Sequence, residues 1–244
     1  MRGIVQGFLF PLQGLRLIFR PGFRRYVVVP LLLNIVIFAL LAWLGVHYFE
    51  GFMDHYLPEA SWWSFVRPLL WVLFALAYAM TLFYGFTVLA NLVASPFNSI
   101  LAAKIEEALT GRRPTGAETG VFASIWPAVS AELNKFFYMA SRMIPLLVLW
   151  LISALIPGLN LIVSALWLAA GFWFLTLEYL DYPMANHDLA PKQQRRLLGR
   201  RRLKSLAFGS GVTLLMLVLG FVAMPASVAG ATLFWVRDLQ QEAG

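Results

Sequence analysis

Charged residues are absent from four long stretches of this chain: residues 68–103, 143–177, 205–236 and the run between Tyr26 and Glu50. A helix crosses the bilayer core in about 20 residues at 1.5 Å each. Three of the four stretches run past thirty residues, too long for one simple crossing. The charges between them fix the sides. Residues 1–25 carry Arg2, Arg16, Arg20, Arg24 and Arg25, whereas residues 47–67 offer only Arg67 beside Glu50, Asp54 and Glu59. Basic loops stay in the cytoplasm, so the N-terminus reads as inside and the first loop as outside. The second stretch returns the chain to Lys104, Arg112, Arg113, Lys135 and Arg142, which is inside again. A single crossing by residues 143–177 would then place Lys192, Arg195, Arg196, Arg200, Arg201, Arg202 and Lys204 outside, against the strongest inside signal in the chain.

The conflict is removed if residues 143–177 enter and leave on one side, turning at Ile156, Pro157, Gly158, Leu159 and Asn160. Proline removes a helix donor and glycine permits the turn. Residues 205–236 repeat the construction, with Gly220 and Met224-Pro225 near the middle and Arg237 beyond. Each pair is either a re-entrant hairpin or two short full crossings; both give an even number of passes. At the N-terminus, Ile4, Phe8, Pro11, Leu15, Ile18 and Phe19 share one helical face, and Gln6, Gln13, Arg16 and Arg20 the other, the pattern of a helix lying in the interface. The predicted fold is an all-α integral membrane protein, a single membrane domain over residues 1–244. It comprises an interfacial helix (1–21), a first transmembrane helix (22–50) and a second with a cytoplasmic extension (66–111). A cytoplasmic segment (112–142), a helical hairpin (143–177), a basic cytoplasmic segment (178–204) and a second hairpin (205–237) follow.

Composition agrees: 60% of residues are hydrophobic and the mean hydropathy is +0.74, beyond the usual range of a soluble domain. No cysteine is present, which excludes disulfides, thiolate metal sites and cysteine nucleophiles. The net charge of +7 sits beside apolar spans, where it meets lipid headgroups, and no nucleic-acid partner is expected. Arg16 interrupts the first apolar run and no small-residue cleavage site follows, so no cleaved signal is expected.

The segment Arg20-Pro21-Gly22-Phe23-Arg24-Arg25-Tyr26 is the main candidate for chemistry. Proline suits a first helical turn, glycine lets an anion approach the backbone, and the amides and dipole at a helix start favour negative charge. Arg24 and Arg25 point about 100° apart on a helix, so both reach one ion only at the helix end, a geometry suited to a tetrahedral oxyanion. Alternatively, these arginines do no more than fix orientation. Asn34, Asn91 and Asn98 lie within or at the ends of apolar spans, where an amide must find a helix partner or face water. Glu106, Glu107, Arg112 and Arg113 lie near a helix end at Gly111, either as an ion network at a pore mouth or as a solvated terminus. Glu178, Asp181, His187 and Asp188 lack the tight helical pairing of a metalloenzyme, Pro183 interrupts them, and no G-x-S-x-G motif occurs. No catalysis, metal or cofactor is expected. There is no P-loop. The basic run 192–204 reads as an interfacial, lipid-facing helix.

Four ordered motifs carry a family resemblance: GFRRYVVVPLLLN at 22–34, ANLVASPFN at 90–98, LEYLDYPMANH at 177–187 and MPASVAGAT at 224–232. The chain resembles the CysZ family of bacterial inner-membrane sulfate permeases from residue 7 to about residue 235. That resemblance implies two long transmembrane helices, two hemi-penetrating helix pairs, and sulfate uptake across the inner membrane for cysteine biosynthesis. It places sulfate at Gly22, Phe23, Arg24 and Arg25. Phe23 stands where the family has leucine, at a position that contacts the anion through its backbone. Asn34, Asn91, Asn98, Glu106 and Arg112 become candidate pore-lining residues. Sulfite and related oxyanions are further candidate ligands, and the lipid bilayer is the second partner. Half-penetrating helices need burial against sister subunits, so a homo-oligomer is expected. The alternative function is a membrane-embedded scaffolding or regulatory subunit without transport of its own.

Overall fold

In the computed structural model the described residues are 2–56, 64–114, 125–156 and 158–243, and every element among them is helical. The main helices are α1 (Arg2–Ile18), α2 (Arg25–Tyr56), α3 (Arg67–Thr110), α4 (Ile125–Ser153), α5 (Leu159–Ala185), α6 (Pro191–Arg200), α7 (Arg202–Leu219) and α8 (Ala223–Phe234). A π-helical turn over Trp235–Leu239 leads into α9 (Gln240–Ala243). The chain divides into two compact units, one of Arg25–Phe97 and one of Met1–Arg24 with Asn98–Gly244.

In the first of these units, α2 and the membrane part of α3 form an antiparallel pair zipped by aromatic rings. Phe49 stacks on Phe74 at 3.8 Å, Trp71 meets Phe49 edge-on at 4.8 Å, and Phe74 stacks on Tyr78 at 5.1 Å. The Tyr78 hydroxyl donates to the Leu41 carbonyl at 2.5 Å, beside Gly45, where a Cβ would overlap the Tyr78 ring. At the loop end Arg67 donates to Asp54 at 2.6 Å. The outer faces are apolar and bare, with Val36, Trp43 and Leu76 each about 60% exposed. Such surface belongs in hydrocarbon. At 32 residues α2 is about 48 Å long, more than the bilayer core requires.

The other unit is built on backbone contact. Its helix α1 buries the stripe Gly7, Phe10, Pro11, Gly14, Leu17 and Ile18 against α7 and α8. The spacing of three and four is helical, but the face differs from the one that hydrophobicity selects, since Ile4 and Phe19 are exposed. A Cβ on Gly14 would collide with the Ala226 carbonyl and the Gly230 amide, and one on Gly230 with the Phe10 carbonyl. Phe10 stacks on Phe234 at 5.2 Å. Nearly the whole of α8 is buried, and its small residues allow this approach.

Both helical hairpins turn where the sequence marks them. Gly158 adopts φ +85° between α4 and α5, and Gly220 adopts φ +52° after α7. Pro157 of the first turn lies outside the described residues. Turn amides are bonded locally, Leu155 to the Ile152 carbonyl at 3.0 Å and Leu159 to that of Ile156 at 3.2 Å; Ser153 bonds Asn160 at 2.6 Å. The arms exceed the uncharged stretch: α4 starts by Ile125 and α5 continues to Ala185, taking in Lys135, Glu178 and Asp181. Pro183 lies in the last turn of α5 and does not interrupt the segment earlier. Gly111, at φ +70°, ends α3 as expected of a glycine C-cap.

Seating α1 on α8 requires glycine at position 14. Gly14→Val should lower the thermal unfolding midpoint of the detergent-solubilised protein, with a loss of about 1–3 kcal/mol for an overpacked contact. Gly3→Ala, whose Cβ meets nothing within 4 Å, should leave it unchanged.

Candidate anion-binding motif and polar clusters

Gly22 takes φ +97° with open space around it, so the chain turns there by backbone alone. The turn is closed by Arg20 N–H to the Leu17 carbonyl at 3.0 Å and Phe23 N–H to that of Arg20 at 3.2 Å. The Arg24 Nε donates to the Phe19 carbonyl at 2.6 Å. α2 begins at Arg25, so Gly22, Phe23 and Arg24 precede the helix, and the first amides of α2 lack intrahelical partners. The Arg25 guanidinium bonds the Tyr26 hydroxyl at 2.8 Å and lies 4.8 Å from its ring centre. Both arginines are exposed, and among the described residues neither meets a carboxylate. The boundary between the two compact units falls between them.

A second polar group lies at the base of the first hairpin. Lys135, almost buried, reaches Glu178 at 3.1 Å and Asp181 at 3.0 Å, and Gln194 of α6 donates to Asp181 at 2.8 Å. Glu178 and Asp181 stand three residues apart on α5, one face, which is how a single ammonium serves both. The sequence places these carboxylates in the basic cytoplasmic segment 178–204 and does not point to Lys135 as their partner; the i,i+3 spacing of the two acids was the available signal.

A third group joins the extension of α3 to the end of α5 and the C-terminal helix. Glu106, 2% exposed, has Oε1 2.7 Å from His187 Nε2 and 2.9 Å from Gln240 Nε2. Its other oxygen has no partner among the described residues. Ser99 donates to the Asn186 side chain at 2.8 Å, and the Asn186 amide donates back to the Ser99 carbonyl at 3.1 Å. Asn98 is buried beside Tyr182, and Asn34 has a buried carbonyl oxygen with no partner among the described residues. The side chain of Asn91 lies outside the described residues. Arg112 is exposed beyond the helix end, its backbone engaged by the Thr110 hydroxyl, so it does not join Glu106. Glu107 instead pairs with Lys104 at 2.7 Å, which holds its carboxyl below the usual range. His187 is drawn to Glu106, not to Glu178 or Asp181, and the described residues include no group of three or more acidic or histidine side chains placed to hold a metal.

Apolar helices of this length, five of them capable by length and composition of spanning a bilayer, define a multi-pass membrane protein with an exposed arginine pair where its first long helix begins. The chain belongs to the family described as Sulfate transporter CysZ/Etoposide-induced protein 2.4, whose model matches residues 10–225. It is 39% identical to a protein of Pseudomonas aeruginosa named Sulfate transporter CysZ, over 93% of this chain and 92% of that one. A protein of the same name from Pseudomonas syringae pathovar tomato is also 39% identical, over 93% and 90%.

Removing Lys135 leaves two carboxylates facing each other. Lys135→Met should destabilise the protein by about 1–2 kcal/mol, less than a fully dry pair would lose because both acids keep some solvent. Adding Glu178→Gln and Asp181→Asn should restore much of the loss, read as the thermal midpoint in detergent.

Proposed function

We propose that this chain is a permease carrying sulfate across the bacterial inner membrane, that it binds the anion at Gly22, Phe23, Arg24 and Arg25, and that it supplies cysteine biosynthesis. The observation that carries this is the arginine pair. Two guanidiniums without a carboxylate stand at a helix start whose amides are free, next to a glycine with an open backbone. The relatives' shared name, sulfate transporter, gives the anion its identity. Sulfite, of similar charge and size, is the competing ligand. Asn34, Asn91, Asn98, Glu106 and Arg112 are the proposed polar lining of the path. Oxygens on Asn34 and Glu106 that are buried without a partner among the described residues support this, because such groups are costly without water or a passing ion to meet them. The protein works as a homo-oligomer, whose subunit contacts cover part of the bare apolar surface.

Both hairpins penetrate the membrane without opening on the far side. Their tips support this: Leu155, Leu161, Leu217 and Phe221 are each about 80% exposed, and the tips carry no charge. Large apolar side chains at a turn in water would forfeit the burial that keeps them in hydrocarbon, up to about 1.5–3 kcal/mol each.

Counter-flow of labelled sulfate into liposomes containing only this protein tests the function. Flux should exceed that of empty vesicles; flux equal to theirs leaves a scaffolding subunit. Arg24→Ala with Arg25→Ala should weaken sulfate binding at least about 100-fold, as expected from losing two charged hydrogen-bonding groups, while insertion is unchanged.

The absence of native cysteines makes a second measurement direct. Single cysteines replacing Leu155 and Leu217 should resist a membrane-impermeant maleimide from both sides, whereas one replacing exposed Tyr56 at the end of α2 should react from outside. Labelling of the tips from outside would mean full crossings.

A further inference from the structure

The basic run of residues 192–204 contains two populations that the sequence does not separate. Three members are engaged inside the fold. Arg195 donates to Asn134 at 3.1 Å and lies 4.4 Å from the Tyr138 ring centre. Arg201 bonds Glu242 at 2.8 Å, and Lys204 meets Asp238 at 2.8 Å and Gln6 at 3.2 Å. The other four, Lys192, Arg196, Arg200 and Arg202, are exposed or nearly so and have no hydrogen-bond or ion-pair partner among the described residues.

Their arrangement is ordered. Lys192, Arg196 and Arg200 follow each other at four-residue intervals on α6, within an arc of about 80° and over about 12 Å of helix. The opposite face of α6 is seated by Gln194, Leu197 and Leu198, all buried, so the stripe can face only outward. α6 contains no acidic residue. Successive cations stand about 6 Å apart along the axis, a spacing that suits a row of separate anions and does not converge on one small ion. Next to Arg202, Leu203 is 66% exposed, an apolar group beside the charge.

Position supplies the occupant. α6 joins the base of α5 to the base of α7, and the uncharged, apolar tips of both hairpins lie at the other ends of those helices. Over its 18 residues α7 is about 27 Å long, so α6 lies where hydrocarbon gives way to headgroups. We propose that the outer face of α6, with Arg202 and Leu203, is a binding site for anionic phospholipid headgroups: the cations take the phosphodiesters and Leu203 enters the acyl boundary. An acidic protein would match the charge but gives no reason for an exposed leucine at this level. The site is separate from the arginines at 24 and 25 and stands whether or not the transported ion is sulfate.

The test uses the delipidated full-length protein in neutral detergent, with the thermal unfolding midpoint as readout. Dihexanoyl phosphatidylglycerol should raise the midpoint; dihexanoyl phosphatidylcholine and inorganic phosphate at the same concentrations should not. The variant carrying Lys192→Gln, Arg196→Gln, Arg200→Gln and Arg202→Gln should need at least roughly tenfold more phosphatidylglycerol for the same shift, because all four surface cations that attract anionic lipid are lost. Equal shifts with phosphatidylcholine, a phosphate effect matching that of the lipid, or an unchanged response of the variant would overturn the proposal. A shift with polyglutamate equal to that with phosphatidylglycerol would overturn it too, by assigning the face to an acidic protein. The lipid comparison on the unaltered protein decides the matter even if the variant fails to fold.

Discussion

Close backbone approach is the constraint on which the α1, α7 and α8 assembly depends. In a bilayer, two helices gain nothing by leaving lipid for each other, because acyl chains are as apolar as leucine. What holds them is van der Waals contact, and that grows as the axes come together. α1 achieves this against α8 at Gly14 and Gly230, where any side chain would strike a backbone atom, and against α7 at Gly7 and Gly211. Stacking of Phe10 on Phe234 fills the adjoining space. This explains why α8, short and made largely of small residues, is buried almost throughout, whereas α2 is far longer and mostly bare. The α2 and α3 pair uses a different device, a column of rings in place of close backbones, with Tyr78 bonding across to the main chain.

Charge is distributed along this fold by depth. Lys135 with Glu178 and Asp181, Lys204 with Asp238, and Arg201 with Asp238 and Glu242 all lie at the base of the hairpins, and each cation there meets a carboxylate. A lone charge at the bilayer centre costs roughly 2.5–3.5 kcal/mol even on the most forgiving scale. Pairing reduces that cost and lets α4 and α5 run on as continuous helices through their charged ends. The paired charges thereby gather at the base of the hairpins, while the tips carry none. Pairing inside the fold also decides which cations remain for the outside, and these collect on one face of α6.

Features that rest on local chemistry were legible in the sequence. The turns at Gly158 and Gly220, the helix end at Gly111 and the long apolar helices all follow from uncharged length and from glycine, and the four motifs were enough to place the family. Features that rest on partners were not. Arg142 and Glu178 bound the uncharged stretch 143–177 when each charge is counted singly, whereas the helices α4 and α5 run on past both, to the paired Lys135, Glu178 and Asp181. The packed stripe of α1 was not legible for a related reason: hydrophobicity weights Ile4 and Phe19, which are exposed, yet the stripe includes Gly7 and Gly14, whose contribution is the side chain they lack. At the candidate site, the motif was visible at Gly22 to Arg25, but the separation of Glu106 from Arg112, and its pairing with His187 and Gln240, depends on contacts 81 and 134 residues apart.

The arginine pair also bears on how a permease of this kind would work. A dianion moving into an inside-negative cell works against about 4.6 kcal/mol for each 100 mV, so net entry needs a sink or a coupled cation. Tight binding is of little use here, because an anion held by too many donors fails to leave. At Arg24 and Arg25 part of the donor capacity is already committed: Arg24 to the Phe19 carbonyl and Arg25 to the Tyr26 hydroxyl and ring. A sulfate bound there, as proposed, would share with or displace these neutral partners, which would weaken its hold without adding a repelling carboxylate. On the proposed assignment, neutral competitors would leave the charge of the pair in place for an anion, whereas an acidic partner would neutralise it.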